Sequence, residues 1–246
     1  MPPDVIIADW NGTLIEYRDE RPVLENTARD VFRASIPCHP RRMARILKAR
    51  SELEALYRGG QNNDYDFIRE LFRIYNERII EGVPVSLIHR SIEKYARKRR
   101  TQSSLDHRVL RPIKECHSDG KTTGIFSAGY GHGIARILAV AGYDSHFDFI
   151  EADVLRENGG KAISFGLNIY KRKPPLLQRL LKEKTIDAGR VAYIGDSEDD
   201  EGCFEMVGYP VVAFLAPDEL KERFARKYKA FVPSDEKDLA NYLNCA

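Results

Sequence analysis

Four short stretches of the sequence carry side chains that can act as nucleophiles, as bases, or as ligands for cations and anions. They contain acidic residues, a serine and a lysine, and they lie at Asp9 to Thr13 (DWNGT), Ser127 to Gly129 (SAG), Lys173 with Pro174, and Asp196 to Asp200 (DSEDD). Each stretch alone has an ordinary explanation, because Asp and Ser often form turns or cap helices. Three carboxylates, one hydroxyl and one amine become a specific set only if the fold brings them together.

The elements that flank these stretches predict that the fold does so. An apolar, β-branched run at residues 4–8 (DVIIA) ends at Asp9, which is typical of a buried strand that enters a loop. From about residue 105, helical patterns alternate with short apolar strands, and this alternation predicts a parallel α/β sheet. The predicted strands lie at 122–126, 147–151, 191–194 and 211–214, the predicted helices near 107–117, 132–141, 175–184, 201–207 and 218–227, and a hairpin turns at Gly159-Gly160. Ligands bind beyond the carboxyl ends of strands in such sheets, where most of these polar residues fall.

Residues 15–104 have a different pattern of apolar residues, which predicts a helical insertion. Apolar side chains recur there at helical spacing, as in the set Ile68, Leu71, Phe72, Tyr75 and Ile79. The insertion holds 19 basic and 13 acidic residues, whereas the rest of the chain holds 20 basic and 24 acidic residues. Positive charge is therefore concentrated in the insertion, which favours anionic ligands.

Composition and charge exclude several classes of protein. The 246 residues are 43% hydrophobic and 31% charged, which predicts a folded chain rather than a disordered one, and the net charge of only +2 argues against a dedicated nucleic-acid-binding protein. No apolar run approaches the roughly 18–20 residues that span a bilayer, and no secretory signal is visible, so we expect a cytoplasmic protein without a membrane partner. Because Cys38, Cys116, Cys203 and Cys245 form no C-x-x-C pair, we predict reduced thiols. The oligomeric state stays open.

In their order along the chain, the four stretches resemble the motifs of the haloacid dehalogenase superfamily of phosphohydrolases. The first motif of that superfamily is a strand ending in D-x-D-G-T, to which DWNGT is similar. The second is a strand ending in Ser or Thr, here Ser127, and the third is a lysine commonly before proline, here Lys173. The fourth, G-D-x-x-x-D, is similar to Gly195 through Asp200.

The resemblance covers about residues 1–14 and 105–246 and implies a domain organisation. These two segments would form a Rossmann-like catalytic core with a parallel sheet. Residues 15–104 are similar, in position and helicity, to the α-helical cap domain that one class of the superfamily inserts between its first two motifs. In that class the cap normally decides which substrate is used.

The resemblance also implies a Mg²⁺-dependent phosphatase that uses an aspartyl-phosphate intermediate. Asp9 would be the nucleophile. A phosphate beside several carboxylates requires a hard cation, and Mg²⁺ prefers oxygen ligands. The predicted metal-binding residues are Asp9, Asp196, the backbone carbonyl of Asn11, and Asp200. Of these, Asp200 would not touch the ion itself but would hold the other ligands in place or bind the ion through water. Its neighbour Asp199 competes with Asp200 for that role.

Phosphate binding is implied for the loop residues and the lysine. The predicted phosphate-binding residues are Asn11, Gly12, Ser127, Ala128 and Lys173. Three of them, Asn11, Ser127 and Lys173, form the predicted catalytic group together with Asp9. Ser127 and the backbone N–H groups after it would donate hydrogen bonds to phosphoryl oxygens, and Lys173 would neutralise charge. Lys171 is the alternative lysine nearby. The substrate is expected to be a small phosphorylated metabolite.

Residue 11 departs from the pattern of the superfamily, whose phosphatases have a general acid–base Asp there. An amide such as that of Asn11 can donate a hydrogen bond but cannot deliver a proton, and general acid–base catalysis contributes roughly 10²–10⁴ in rate. Four explanations remain open. The protein is a slow phosphatase for good leaving groups; the Asn was introduced to trap a complex; Glu16 or Asp19 supplies the proton; or the reaction is not phosphate-ester hydrolysis.

Two other functions compete with the phosphatase. Superfamily enzymes that cleave a carbon–phosphorus bond have a D-W-A-G-T first motif and an imine-forming cap lysine, for which Lys48 is the candidate. A catalytically weak, phosphate-binding regulatory protein is the other alternative, since loss of an acid–base group is one route from enzyme to sensor. Carbon–halogen hydrolysis needs no metal and is disfavoured by the acidic GDSEDD sequence.

Overall fold

The structure is a computed structural model, which describes residues 2–16, 21–36, 39–58, 65–166 and 168–244. Its strands are β1 (Val5–Ala8), β2 (Thr122–Tyr130), β3 (Phe149–Asp153), β4 (Leu155–Asn158), β5 (Lys161–Phe165), β6 (Val191–Gly195) and β7 (Tyr209–Val212). Its α-helices are α1 (Arg21–Ser35), α2 (Pro40–Arg58), α3 (Tyr65–Ile74), α4 (Val85–Ala96), α5 (Arg99–Ser103), α6 (His107–Ser118), α7 (Gly131–Ala141), α8 (Lys173–Glu183), α9 (Glu201–Phe204), α10 (Asp218–Tyr228) and α11 (Glu236–Leu243).

The chain divides into two units. The first, here the core unit, comprises Met1–Asp19, Arg99–Asp153 and Asn168–Ala246. The second, here the helical unit, comprises Glu20–Lys98 and Val154–Leu167.

A five-stranded sheet lies at the centre of the core unit. Its strand order is β3-β2-β1-β6-β7, and every neighbouring pair is parallel. All four residues of the central strand β1 are buried, as expected where both faces of a parallel sheet are covered. The predicted α/β class with a parallel-sheet core is therefore confirmed.

The strand register determines which residues leave the sheet side by side. Ala8 pairs with Ile125 of β2 and with Ile194 of β6, so the residues that follow these three positions share one edge. Strand β2 runs past its predicted end, because Ser127 and Tyr130 continue the pairing with β3 across an irregularity in register.

The helices of the core unit begin and end close to the predicted residues, with three exceptions. Helix α5 lies in the core unit, although its residues fall in the predicted insertion 15–104. The helix predicted at 201–207 is shorter, since a 3-10 turn at Glu198–Asp200 leads into the four-residue α9. Helix α11 has no predicted counterpart; only Leu239 and Leu243 of its residues are buried, too few to mark a helical period. Among the described helices, none combines the length and hydropathy needed to cross a bilayer.

The helical unit contains α1 to α4 and also the antiparallel hairpin β4-β5. The hairpin joins this unit through backbone hydrogen bonds: Gly82 N donates to Ala162 O, and Ala162 N donates to Val83 O, each at 2.8 Å. The Asn76 side chain also exchanges two hydrogen bonds with the Phe165 backbone. The unit therefore includes a second stretch of chain beyond the predicted segment 15–104, and the cap assignment itself stays a prediction.

The described cysteines differ from each other. Cys203 is a buried free thiol, as predicted, whereas Cys116 is disulfide-bonded. The prediction of reduced thiols was wrong for Cys116, because spacing along the sequence does not reveal which cysteines the fold brings together. Cys38 and Cys245 lie outside the described residues.

Candidate active site

A buried ion pair lies at the carboxyl edge of the sheet. Asp9 directly follows β1, and Lys173 is the first residue of α8. Pro174 follows in the first turn, where its missing N–H would have no partner within the helix. The Lys173 Nζ atom is 2.8 Å from Asp9 Oδ2, and the two side chains are only 5% and 6% exposed. The predicted nucleophile and the predicted lysine thus touch, although 164 residues separate them along the chain.

Asp200 holds the same lysine from the other side. Its Oδ1 atom lies 2.7 Å from Lys173 Nζ and accepts a 2.8 Å hydrogen bond from the Tyr193 hydroxyl. Its Oδ2 atom accepts from Asp196 N, Ser197 N and Ser197 Oγ at 3.0 to 3.1 Å. Five donors therefore surround a carboxylate that is fully buried.

Asp196 follows β6 and faces the loop after β1. Its Oδ1 atom accepts a 3.3 Å hydrogen bond from Thr13 Oγ1. A Cβ atom added at Gly12 would lie 2.2 Å from Asp196 Oδ2, and Gly12 has a φ of +71°. Both the space and the backbone conformation thus require glycine at position 12.

Ser127 lies within β2, beside Asp9. It is buried, its Oγ atom accepts a 3.1 Å hydrogen bond from Gly129 N, and its hydroxyl stabilises the ionised form of Asp9. Ala128 and Asn11 are half-buried, and Asn11 pairs with Ile15 in the loop after β1.

The electrostatics of the cluster show an excess of negative charge. Burial raises the pKa of Asp9 above its ordinary value, although Lys173 opposes this. Burial, followed by the charges of Asp200 and Asp9, raises the pKa of Asp196 well above its ordinary value. Burial would also raise the pKa of Asp200, but Lys173 and Tyr193 together hold it below its usual range. The single ammonium group of Lys173 therefore has to offset the negative charge of three carboxylates.

Asp9 and Asp196 offer oxygen atoms that fit a divalent cation, and Asp200 lies close to both. Oxygen atoms of Asp9, Asp196 and Asp200 lie within 4.8 Å of one another. The buried Asp9 Oδ1 atom has no hydrogen-bond partner among the described residues, and a buried polar atom without a partner is unfavourable. A hard cation that accepts oxygen ligands would satisfy this atom and offset the surplus charge.

The competing residues proposed from the sequence lie in other settings. Lys171 is exposed, and Asp199 is half-buried and outside this carboxylate group. Glu16 is exposed and lines a separate cavity of about 320 Å³ with Arg108. The Lys48 side chain is 64% exposed and 3.9 Å from Glu52, which is the setting of a solvated surface lysine. Asp19 lies outside the described residues.

Three contributors to the cluster were missed from the sequence: Tyr193, Thr13 and Ser197. Tyr193 falls inside the apolar run VAYIG and has the pattern of a core residue. Thr13 and Ser197 belong to the quoted motifs, where their hydroxyl groups were the available signal.

Comparisons with known proteins agree with this geometry. The family model described as haloacid dehalogenase-like hydrolase matches residues 6–205. The chain therefore belongs to the haloacid dehalogenase-like hydrolase family. The predicted family, the predicted fold and the prediction of a hydrolase are confirmed. A search of curated proteins finds no significant match.

Solved structures of similar fold include two of phosphoserine phosphatases and one of a 5′-nucleotidase. A substrate-bound phosphoserine phosphatase is 17% identical, with 99% of each chain covered and a TM-score of 0.61. A phospho-aspartyl intermediate analogue of phosphoserine phosphatase is 18% identical, with 94% of this chain and 93% of that chain covered and a TM-score of 0.55. Cytosolic 5′-nucleotidase IIIB bound to cytidine is 16% identical, with 98% and 85% covered and a TM-score of 0.63. At these identities the likeness establishes the shared fold.

Proposed function

We propose that the protein is a Mg²⁺-dependent phosphatase that hydrolyses the phosphoric monoester of a small metabolite through an aspartyl-phosphate on Asp9. The observation that carries this proposal is the buried contact between Lys173 and Asp9 beside two further carboxylates. A carboxylate becomes an effective nucleophile toward phosphorus when it is aligned and the charge around it is neutralised.

The residues of the chain account for two chemical steps. In the first, a carboxylate oxygen of Asp9 bonds to phosphorus while the bond between phosphorus and the alkoxide leaving group breaks. In the second, water hydrolyses the acyl phosphate and restores the Asp9 carboxylate. Ser127, the backbone N–H of Ala128 and the ammonium of Lys173 stabilise the phosphoryl oxygens in both steps. The N–H of Gly12, predicted to bind phosphate, instead donates to Ile15 O.

Asp9, Asp196 and the backbone carbonyl of Asn11 would hold the metal ion, with Asp200 supporting the site from behind. When bound, the ion would supply positive charge that offsets the charge of these carboxylates and of the phosphoryl group. The unpartnered Asp9 Oδ1 atom supports this assignment.

Asn11 makes this phosphatase selective by leaving group. Its amide can hydrogen-bond the departing oxygen but cannot protonate it. Substrates whose leaving group is already a weak base, such as aryl and acyl phosphates, need no proton donor. We therefore expect slow turnover of alkyl phosphates and faster turnover of aryl phosphates.

We infer that the helical unit is the predicted cap domain and that it selects the substrate. Its position, inserted after the first motif, and the 19 basic against 13 acidic residues of segment 15–104 support a small anionic metabolite. The names of the structural neighbours, which act on phosphoserine and nucleotides, support the same class. A cytoplasmic location fits such a metabolite.

The test is release of phosphate from p-nitrophenyl phosphate with and without Mg²⁺. We expect Mg²⁺-dependent turnover that Asp9→Asn abolishes. Asp218→Asn, which changes a carboxylate that is 94% exposed on α10, is the matched control and should retain turnover. Metal-independent turnover, or turnover that survives Asp9→Asn, would contradict the proposal.

The presence of Asn11 favours one second candidate, a protein that binds phosphate and metal without turnover. In that case the same assay gives no product, while isothermal titration still detects binding of vanadate in the presence of Mg²⁺. Asp9→Asn and Lys173→Met would then weaken vanadate binding.

A further inference from the structure

The Asp200 carboxylate stands out because all of its acceptor capacity is in use. A carboxylate has about four lone-pair sites, and five donors already surround this one: the Lys173 ammonium, the Tyr193 hydroxyl, Asp196 N, and the N–H and O–H of Ser197. A saturated carboxylate holds its neighbours in place and has little left to offer a metal ion.

Tyr193 is a partner of Asp200 that lies within a strand of the core sheet. It lies within β6, which pairs with β1 on one side and β7 on the other. Its side chain is fully buried, and its ring packs edge-on against Phe204 at 5.9 Å between centroids. Backbone pairing and ring packing therefore fix the position of its hydroxyl group.

The hydroxyl of Tyr193 and the ammonium of Lys173 meet at the same oxygen. Both donate to Asp200 Oδ1, at 2.8 Å and 2.7 Å. A lysine side chain is long and flexible, so the position of its ammonium depends on the groups that hold it. Two of the three N–H donors of Lys173 point to Asp200 and Asp9, which leaves one for a phosphoryl oxygen.

We propose that Tyr193 is a positioning residue, whose buried hydroxyl fixes Asp200 and thereby sets where the Lys173 ammonium stands relative to Asp9. The part of this inference that concerns catalysis rests on the proposed phosphatase function. The part that concerns the position of the ammonium does not, and it is tested without metal or substrate.

The test compares Tyr193→Phe with Tyr143→Phe. The first removes the hydroxyl and keeps the ring against Phe204. The second removes a hydroxyl from another buried tyrosine of the core unit, which contacts His107 Nδ1 at 3.0 Å. With p-nitrophenyl phosphate and Mg²⁺, we expect kcat to fall about tenfold in Tyr193→Phe with KM within about twofold, as for an interaction used in the transition state. Tyr143→Phe should keep the wild-type kcat.

The second readout is the ¹H–¹⁵N signal of the Lys173 ammonium in the metal-free protein. This signal is identified by its loss in Lys173→Met. We expect it to shift and broaden in Tyr193→Phe and to stay unchanged in Tyr143→Phe. An unchanged Lys173 signal in Tyr193→Phe overturns the proposal, as does a kcat loss equal in the two tyrosine variants.

A further variant keeps the test decisive if Tyr193→Phe does not fold. Ser197→Ala removes a donor from Asp200 Oδ2 and the contact of the Ser197 hydroxyl with the Asp200 backbone N–H, and it leaves Oδ1 with both of its donors. It should therefore move the Lys173 signal in the same direction by a smaller amount. No movement in Ser197→Ala then overturns the proposal. An inactive wild-type protein whose Lys173 signal still responds would instead contradict only the proposed function.

Discussion

Ion pairs at the carboxyl edge of the core sheet differ in kind from those of the helical unit. Lys173 and Asp9 are 5% and 6% exposed, whereas Arg50 and Glu54 of α2 are 77% and 54% exposed at the same 2.8 Å separation. Buried charges require strict pairing because desolvation is costly, whereas exposed pairs contribute little. Two ion pairs with the same separation therefore differ in how much each depends on its partner, and burial is what distinguishes them.

Removing the cation from each pair should give the largest contrast. Lys173→Met leaves Asp9 and Asp200 buried without their counter-charge, so we expect a loss of about 10³-fold in kcat/KM and of about 3–5 kcal/mol in the free energy of unfolding. Arg50→Met should cost less than about 1 kcal/mol. Phosphate release and urea denaturation measure both effects; similar losses of stability in the two variants would contradict the comparison.

Restoring an acid at the sheet edge should give the next largest effect. Asn11→Asp supplies a proton donor for the leaving group, and we expect turnover of an alkyl phosphate to rise by about 10². Turnover of an aryl phosphate should rise much less, since its leaving group needs no proton. Steady-state kinetics with both substrates measures the ratio, and equal gains would exclude a leaving-group role for residue 11.

Relieving the surplus negative charge should stabilise the metal-free protein. The pKa of Asp196 lies well above its ordinary value because of burial and of the charges on Asp200 and Asp9. Asp196→Asn removes that repulsion, so we expect a gain of about 1 kcal/mol in the free energy of unfolding together with loss of Mg²⁺-dependent turnover. Thermal melts with and without Mg²⁺ measure this. A destabilised variant would show that the cluster is not under electrostatic strain.

The amino edge of the same sheet should give a smaller effect that depends on pH. Burial, then the charges of Lys114 and His117, lower the pKa of His146 below its ordinary 6.5, although Asp144 opposes them. The unfolded chain therefore binds more protons below pH 6.5, and stability should fall as pH is lowered through this range until the folded pKa is passed.

A control variant separates this histidine from the other titrating groups. His146→Gln should flatten the dependence of the melting temperature on pH between about 6.5 and 5. An unchanged slope would show that other groups control stability there.

Much of this molecule could be predicted from the sequence, and the reasons are local. The apolar runs VIIA and VAYIG are fully buried strands, so the residues after them could be placed at one sheet edge. The role of Tyr193 could not be predicted, because an inward hydroxyl inside an apolar run looks like core packing. The pairing of hairpin β4-β5 with the residues around Val83 could not be predicted either, since no local pattern encodes contacts between distant segments.

The conformation of Gly12 also affects how fast Asn11 deamidates. Asn-Gly sequences lose ammonia when the glycine nitrogen attacks the preceding side-chain amide, which converts Asn into Asp and isoaspartate. In the folded protein, Gly12 N donates a 2.9 Å hydrogen bond to Ile15 O, and Gly12 is buried with a fixed φ of +71°. The fold therefore protects the amide of Asn11 from this reaction. Asp found at this position in a stored sample would show that part of the protein had been unfolded during storage.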